Sequence, residues 1–188
     1  MKQAYVDGKP IPREAVEFEL SRLTAFYATH GMSAEEIKKR LPQLMEKAQE
    51  QAIGAKLLFD RAAQLDLKVD EREIDEQLRK VIEQVGGREA YLKELARQKM
   101  DEDAFRAKLA AGCRVDMLVR QACTGVPDPT EQEVEDCWRT LYANSGEDAP
   151  SLADAAAGIR DLLRHERRGR AVDALVEELR EKVKVEYK

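Results

Sequence analysis

The chain has 188 residues, of which 43% are hydrophobic and 37% charged, and its formal net charge at pH 7 is −5. This length is enough to bury a substantial core, and the regular recurrence of apolar residues argues against disorder. Acidic and basic residues are interleaved, so the chain lacks the cationic footprint of a nucleic-acid-binding protein. No apolar run approaches the roughly 18 residues that cross a bilayer, and we therefore expect no membrane insertion.

Two further features bear on the cellular compartment. The first residues are polar and contain no apolar region typical of a signal peptide. The sequence as it stands predicts a cytoplasmic protein, or a periplasmic one if a signal peptide has been removed. The three cysteines, Cys113, Cys123 and Cys137, have neither CxxC spacing nor nearby histidines, and each falls in a helical pattern where it serves as a small hydrophobic residue.

The first third of the chain predicts a short strand followed by helices. Ala4–Val6 reads as a strand, Asp7-Gly8 as a turn, and the residues from Pro12 to Gly31 as a helix. A second helix begins at Ser33, where Ser33 and Glu36 form a capping box. Pro42 predicts a kink or a short first piece, followed by a long helix to about Leu65. That helix carries an apolar stripe of Leu44, Ala48, Ala52, Ala55 and Phe59.

Capping residues mark the helices of the middle third. Asp70 and Glu73 repeat the capping pattern before a helix that stops at Gly86-Gly87, and a shorter helix covers about 88–98. Asp101 caps the next helix, which ends at Gly125. Thr130 and Glu133 form another capping box before a short helix that bears Trp138.

The last part of the chain predicts one long helix and a strand. A polar stretch, 144–150, precedes the helix start signal of Ser151 and Asp154. Val183–Tyr187 then alternates apolar and charged residues, as strands do. A lone strand needs a partner, so we predict that this tail pairs with Tyr5-Val6. The predicted fold is all-α, with a short two-stranded β pairing of the N- and C-terminal segments.

Residues that carry chemistry are scarce. Neither His30 nor His165 has a second ligand at metal-binding spacing, and the sequence contains no nucleophile motif or phosphate-binding glycine loop. Carboxylate pairs such as Glu35-Glu36 belong to ordinary charged helix faces, which do not tune a general acid. The sequence therefore predicts no catalytic residue, no metal site and no cofactor.

Apolar side chains are what remain as a candidate functional surface. Aromatic residues and methionines lie near or between the predicted core stripes. Two interpretations stay open for these side chains: plain core packing, or a groove that accepts apolar segments of other proteins. Methionine suits such a groove because it adapts to varied partners, and aromatics suit it because they supply contact area. The candidate binding residues are Phe18, Phe26, Tyr27, Met32, Met45 and Met117.

Several segments, in order, resemble the SurA-type N-terminal chaperone domain of the parvulin chaperones. Val6-Asp7-Gly8-Lys9-Pro10-Ile11 resembles the strand and "V-N-G-x-x-I" turn that open this domain. Ala48–Leu58 is similar to its long second helix, and Pro129–Val134 to the "P-T-x-x-E-V" start of its linker helix. The residues from Ile159 to Glu186 look like its returning helix and strand. The resemblance implies a fold like the SurA N-terminal domain and the C-terminal domain of trigger factor.

Two departures from this family bear on activity. Its members commonly carry a parvulin peptidyl-prolyl isomerase domain, of roughly a hundred residues, between the linker helix and the returning helix. Here that interval is 144–150, which cannot hold a domain, so we expect no isomerase activity. The usual paired tyrosines of the linker helix are replaced by Cys137-Trp138. We predict one discontinuous domain over 1–188, with a helical core of 1–143 and a returning part of 151–188.

The resemblance implies an ATP-independent chaperone that binds unfolded, partly folded or nascent polypeptides in an apolar groove between helices. Two alternatives stay open. The domain is an assembly or dimerisation module for one partner, including a homodimer formed by exchange of terminal strands or helices. Alternatively, it is a member of the peptidyl-prolyl isomerase family without a catalytic domain of its own.

Overall fold

The computed structural model describes residues 2–143, 146 and 149–188. Of the predicted linker 144–150, Asn144, Ser145, Glu147 and Asp148 lie outside the described residues. The described part of the chain is mainly helical, with a small sheet. Its helices are α1 (Arg13–Thr29), α2 (Ala34–Gln64), α3 (Glu71–Gln84), α4 (Arg88–Arg97), α5 (Glu102–Ala122), α6 (Glu131–Leu141) and α7 (Leu152–Arg180), and its strands are β1 (Ala4–Val6), β2 (Lys9–Pro10) and β3 (Val185–Tyr187).

The chain divides into two compact units. The first combines Met1–Leu118 with Val176–Lys188, and the second is Val119–Leu175. The first unit therefore contains both ends of the chain, the sheet and the helices α1 to α4.

The sheet of the first unit has the order β2-β1-β3, and both pairings are antiparallel. The predicted pairing of the two termini is confirmed, with Val6 opposite Val185. The third strand, β2, was not predicted. It forms because Asp7 and Gly8 both have positive φ, 47° and 76°, the backbone required of a tight two-residue hairpin turn. This turn brings Lys9 opposite Val6, and the sheet is three-stranded rather than two-stranded.

Helix α2 is the longest element of the first unit, and its start agrees with the prediction. The Ser33 side chain accepts a hydrogen bond from the Glu36 backbone N–H, and the Glu36 carboxylate accepts one from the Ser33 backbone N–H. The expected short first piece at Pro42 is wrong, because α2 continues through this residue as one helix. Pro42 is exposed, so the carbonyl that loses its helical partner is within reach of water.

Helix α2 supplies much of the buried core of this unit. Ala48, Ile53 and Leu57 are at most 3% exposed. Gly54 lies against the end of α7, where a Cβ on Gly54 would come within 3.3 Å of Cγ1 of Val176. Phe59, which the sequence pattern placed on the buried stripe, is 45% exposed. The helical period places Phe59 in line with Ala55 and Ala52 but does not tell where the neighbouring helix ends.

A second hydrophobic cluster joins α3, α4 and α5. Leu78, Tyr91 and Leu95 form its buried centre, and Phe105 packs edge-to-face on Tyr91 with ring centroids 5.5 Å apart. Arg106 of α5 donates to carboxylates of Glu71 and Asp75 on α3. The helix start signals also hold here, since Asp70 accepts from the Arg72 N–H and Asp101 from the Ala104 N–H.

Arginines of α7 bind the segment before α6 and the first turn of α6, all within the second unit. Arg160 pairs with Glu131, Arg164 pairs with Asp128, and Arg167 donates 2.7 Å to the carbonyl of Pro127. Arg167 also pairs with Glu133, the capping-box glutamate of α6. The guanidinium groups of these three arginines are therefore held by ion pairs and hydrogen bonds.

Candidate functional site

The first unit exposes three phenylalanines on helices α1 and α2. Phe18 is 63% exposed, Phe26 54% and Phe59 45%. Single exposed apolar residues are common on protein surfaces, whereas a group around one depression marks an interaction site. These three phenylalanines line cavities formed by α1 and α2.

The first of these cavities, of about 340 Å³, lies between Phe18 and Phe59. Ala15, Ala52 and Ala55 also line it. Because alanine has a single methyl group, these positions leave the space that the two phenylalanine rings border. Two charged residues also line this cavity, and both are paired: Lys56 with Asp60, and Glu19 with Arg22. The rest of the cavity wall is apolar.

The second cavity, of about 590 Å³, lies further along the same two helices. Phe26, Tyr27 and Leu23 line it from α1, and Lys47 and Gln51 line it from α2. These aromatic side chains hold each other in place. Phe26 stacks on His30 with centroids 4.1 Å apart and meets Tyr27 edge-on at 5.5 Å.

Helix geometry places both cavities on one side of the α1–α2 pair. Phe18, Arg22 and Phe26 are spaced by four residues, so they lie one above another on α1. The same spacing relates the facing residues of α2. We call this surface the α1–α2 groove, defined by Ala15, Phe18, Arg22 and Phe26 of α1 and Lys47, Gln51, Ala55 and Phe59 of α2.

A third cavity, of about 300 Å³, opens beside the sheet. Ile11, Leu20 and Met45 supply its apolar lining. Gln49 is buried there and donates 2.7 Å to the backbone carbonyl of Lys2, which ties α2 to the start of the chain. We do not include this cavity in the groove.

The structure separates the six candidate residues of the sequence analysis. Phe18, Phe26 and Tyr27 line the two cavities of the groove, and Met45 lines the third cavity. Met32 and Met117 are half-buried and line none of these three cavities. Their role in binding stays a prediction for all six.

Sequence reasoning missed several residues of the groove. Phe59 and Ala55 were assigned to the core stripe of α2, and Lys47 was not singled out. The alanines at 52 and 55, close to an aromatic residue at 59, were the available signal. Periodicity identifies an apolar helix face. It does not distinguish a face that is buried in the core from one that lines a groove, because both have the same period.

The charges of the groove are mostly matched in pairs. Glu19, a buried carboxylate, accepts a 3.0 Å hydrogen bond from Arg22. Among the described residues, no group of three or more potential ligands could hold a metal ion, and no helix has the length and hydropathy to cross a membrane. Aromatic rings, alanines and paired charges are suited to binding an apolar chain.

Three comparisons with known proteins bear on this fold. The profile of the SurA-like N-terminal domain matches residues 2–121. The fold also matches, with a TM-score of 0.56, a solved chain from the work on PEB4 and Cj1289, two SurA-like chaperones of the human pathogen Campylobacter jejuni. The match has 11% sequence identity and covers 100% of this chain and 98% of the other. A comparison with curated proteins gives no match.

Proposed function

This chain belongs to the family of SurA-like N-terminal domains, and we propose that it is an ATP-independent chaperone that holds unfolded or partly folded polypeptides in the α1–α2 groove. The observation that carries this proposal is the exposure of Phe18, Phe26 and Phe59 along the α1–α2 groove. Folded monomers rarely leave such a group of aromatic rings uncovered without a partner.

The groove is suited to weak binding of many sequences. Burying one large apolar side chain contributes about 1.5–3 kcal/mol, and contacts with two or three such side chains are reduced by the cost of ordering the bound segment. The resulting dissociation constants lie in about the micromolar to millimolar range. A client that folds then buries the same side chains in its own core, so release needs no nucleotide.

The family match concerns the chaperone-type domain and not a parvulin domain. We propose that the chain binds without catalysing proline isomerisation. A turnover assay on a proline peptide checks this part of the proposal, with the expected rate equal to that of the uncatalysed reaction.

Suppression of aggregation tests the holding function. A denatured client protein is diluted into buffer with an equal amount of the chain, and light scattering is recorded. We expect clear suppression by the wild type and weaker suppression by Phe18→Ser and Phe59→Ser, because each removes one wall of the first cavity. Leu92→Ser is the matched control, since Leu92 is 46% exposed on α4 and lines none of the three cavities.

The range of clients separates the proposal from its alternative. Protection of several unrelated clients supports the chaperone, whereas protection of none refutes it. Protection of one client alone favours an assembly module for a single partner.

Cj1289 is described as periplasmic, and a reporter fusion to the natural start of the gene tests whether this chain shares that compartment.

A further inference from the structure

The α1–α2 groove has one end that is apolar and one that is cationic. The apolar end is the cavity between Phe18 and Phe59, with Ala52 and Ala55 beside them. The other end is the cavity that Lys47 borders together with Phe26. An occupant that spans both cavities therefore meets different chemistry at its two ends.

Lys47 differs from the other cations of the groove. Arg22 is neutralised by Glu19, and Lys56 is neutralised by Asp60. The side chain of Lys47 is exposed, and its ammonium group has no hydrogen bond or ion pair with any other residue in the described part of the chain. One positive charge at the groove is thus left for an occupant to neutralise.

The length of the groove limits the segment that it holds. Lys47 and Phe59 are separated by about 18 Å along α2, at about 1.5 Å per residue. An extended chain advances about 3.3 Å per residue, so a segment of about five residues spans this distance. One such segment reaches from the apolar end to the ammonium group of Lys47.

We propose that the groove selects client segments in which apolar side chains are followed or preceded, within about five residues, by a carboxylate side chain. The apolar side chains occupy the cavity between Phe18 and Phe59, and the carboxylate pairs with Lys47. This inference rests on the proposed function and adds a charge preference to it.

The overall charge of the chain works against this preference. The net charge is −5, so the field of the whole protein attracts basic segments more than acidic ones. A preference for acidic segments must therefore come from a local cation. A measured preference for acidic segments would therefore indicate the local effect of Lys47, whereas a preference for basic segments would indicate the field of the whole protein.

Three labelled peptides with the same apolar half provide the test. Their other half carries glutamate, glutamine or lysine, and binding to the full chain is followed by fluorescence anisotropy at low and high salt. We expect the glutamate peptide to bind about threefold more tightly than the glutamine peptide, and the lysine peptide to bind most weakly. Salt should reduce these differences, because the pair with Lys47 is exposed.

Two charge-changing variants complete the experiment. Lys47→Glu should remove or invert the order of the three peptides. Lys38→Glu is the matched control, since Lys38 is exposed on the same helix and lines none of the three cavities. It changes the net charge equally and should preserve the order.

The outcomes separate this inference from the proposed function. Equal binding of the three peptides, a preference for lysine, or an unchanged order in Lys47→Glu overturns the charge preference and leaves the chaperone proposal standing. Failure of all three peptides to bind overturns both.

Discussion

The hydroxyl of Tyr187 in β3 donates a hydrogen bond of 2.6 Å to Oε1 of Glu50 on α2, although 137 residues separate them in the chain. Arg180 of α7 donates to the other oxygen of Glu50 at 2.6 Å and to the Tyr187 hydroxyl at 2.9 Å. Residues of β3, α2 and the end of α7, all within the first unit, therefore meet at one carboxylate. Burial raises the pKa of Glu50, but the hydrogen bonds from Tyr187 and Arg180 outweigh it, and the pKa lies below its usual value.

This arrangement predicts a pH-dependent contribution to stability. Because the pKa of Glu50 is lower in the folded chain, the contribution is present above the unfolded pKa of about 4.3 and is lost as pH falls through the folded value. Glu50→Gln should lower the free energy of unfolding near neutral pH by up to about 1 kcal/mol, since water screens a side chain that is 46% exposed. Urea unfolding at about pH 7 and about pH 3 measures the difference, which should be smaller at the lower pH. A difference that is equal at both pH values contradicts this role.

Gly54 predicts a packing effect at the end of α7. A Cβ at this position would lie 3.3 Å from Val176, so the larger side chain of Gly54→Leu should destabilise the first unit by about 1–3 kcal/mol. Val176→Ala should restore part of this loss in the double variant. Gly112→Ala is the control, because it lies in helix α5 with open space around it and should stabilise by about 0.5–1 kcal/mol. Chemical denaturation measures the wild type, the single variants at 54 and 176, their double variant and the control, and additive effects of the substitutions at 54 and 176 would refute the contact.

Removal of the Tyr91 hydroxyl should increase the stability of the chain. The Tyr91 side chain is buried in the cluster of α3, α4 and α5, and its hydroxyl has no hydrogen-bond partner among the described residues. Tyr91→Phe should therefore stabilise the chain by about 1 kcal/mol, because an unpaired buried polar group is removed. Tyr187→Phe is the contrasting control, since it removes a paired hydroxyl and should destabilise. Thermal unfolding followed by circular dichroism measures the change in stability of each variant relative to the wild type. A loss of stability in Tyr91→Phe would contradict the prediction.

Fluorescence of Trp138 tests whether 1–188 unfolds as the one discontinuous domain expected from the sequence. This residue is the one tryptophan of the sequence, and its indole N–H donates 3.0 Å to the carbonyl of Pro150 within the second unit. Helices α5 and α7 each run from one unit into the other. We propose that 1–188 unfolds as one domain, so tryptophan fluorescence and circular dichroism should give the same urea transition. Two separate transitions would show that the units are independent domains.

Local signals in the sequence were sufficient for the helix starts and for the joining of the termini. The capping boxes at Ser33 and Thr130 depend on residues three positions apart, and the alternation of 183–187 depends on neighbouring residues. The sequence alone also indicated the family, which the profile match over 2–121 confirms. These features are local because their hydrogen bonds and periods are set within a few residues.

Tertiary structure decided which apolar residues are covered. The same period of 3.6 residues describes Ala48, which is buried, and Phe59, which borders the groove. Whether Lys47 has a partner also depends on which side chains the fold brings near it. Burial and ion pairing depend on contacts between residues distant in the sequence, and for this reason the sequence determined the helices of this chaperone-type domain whereas only the fold located its groove.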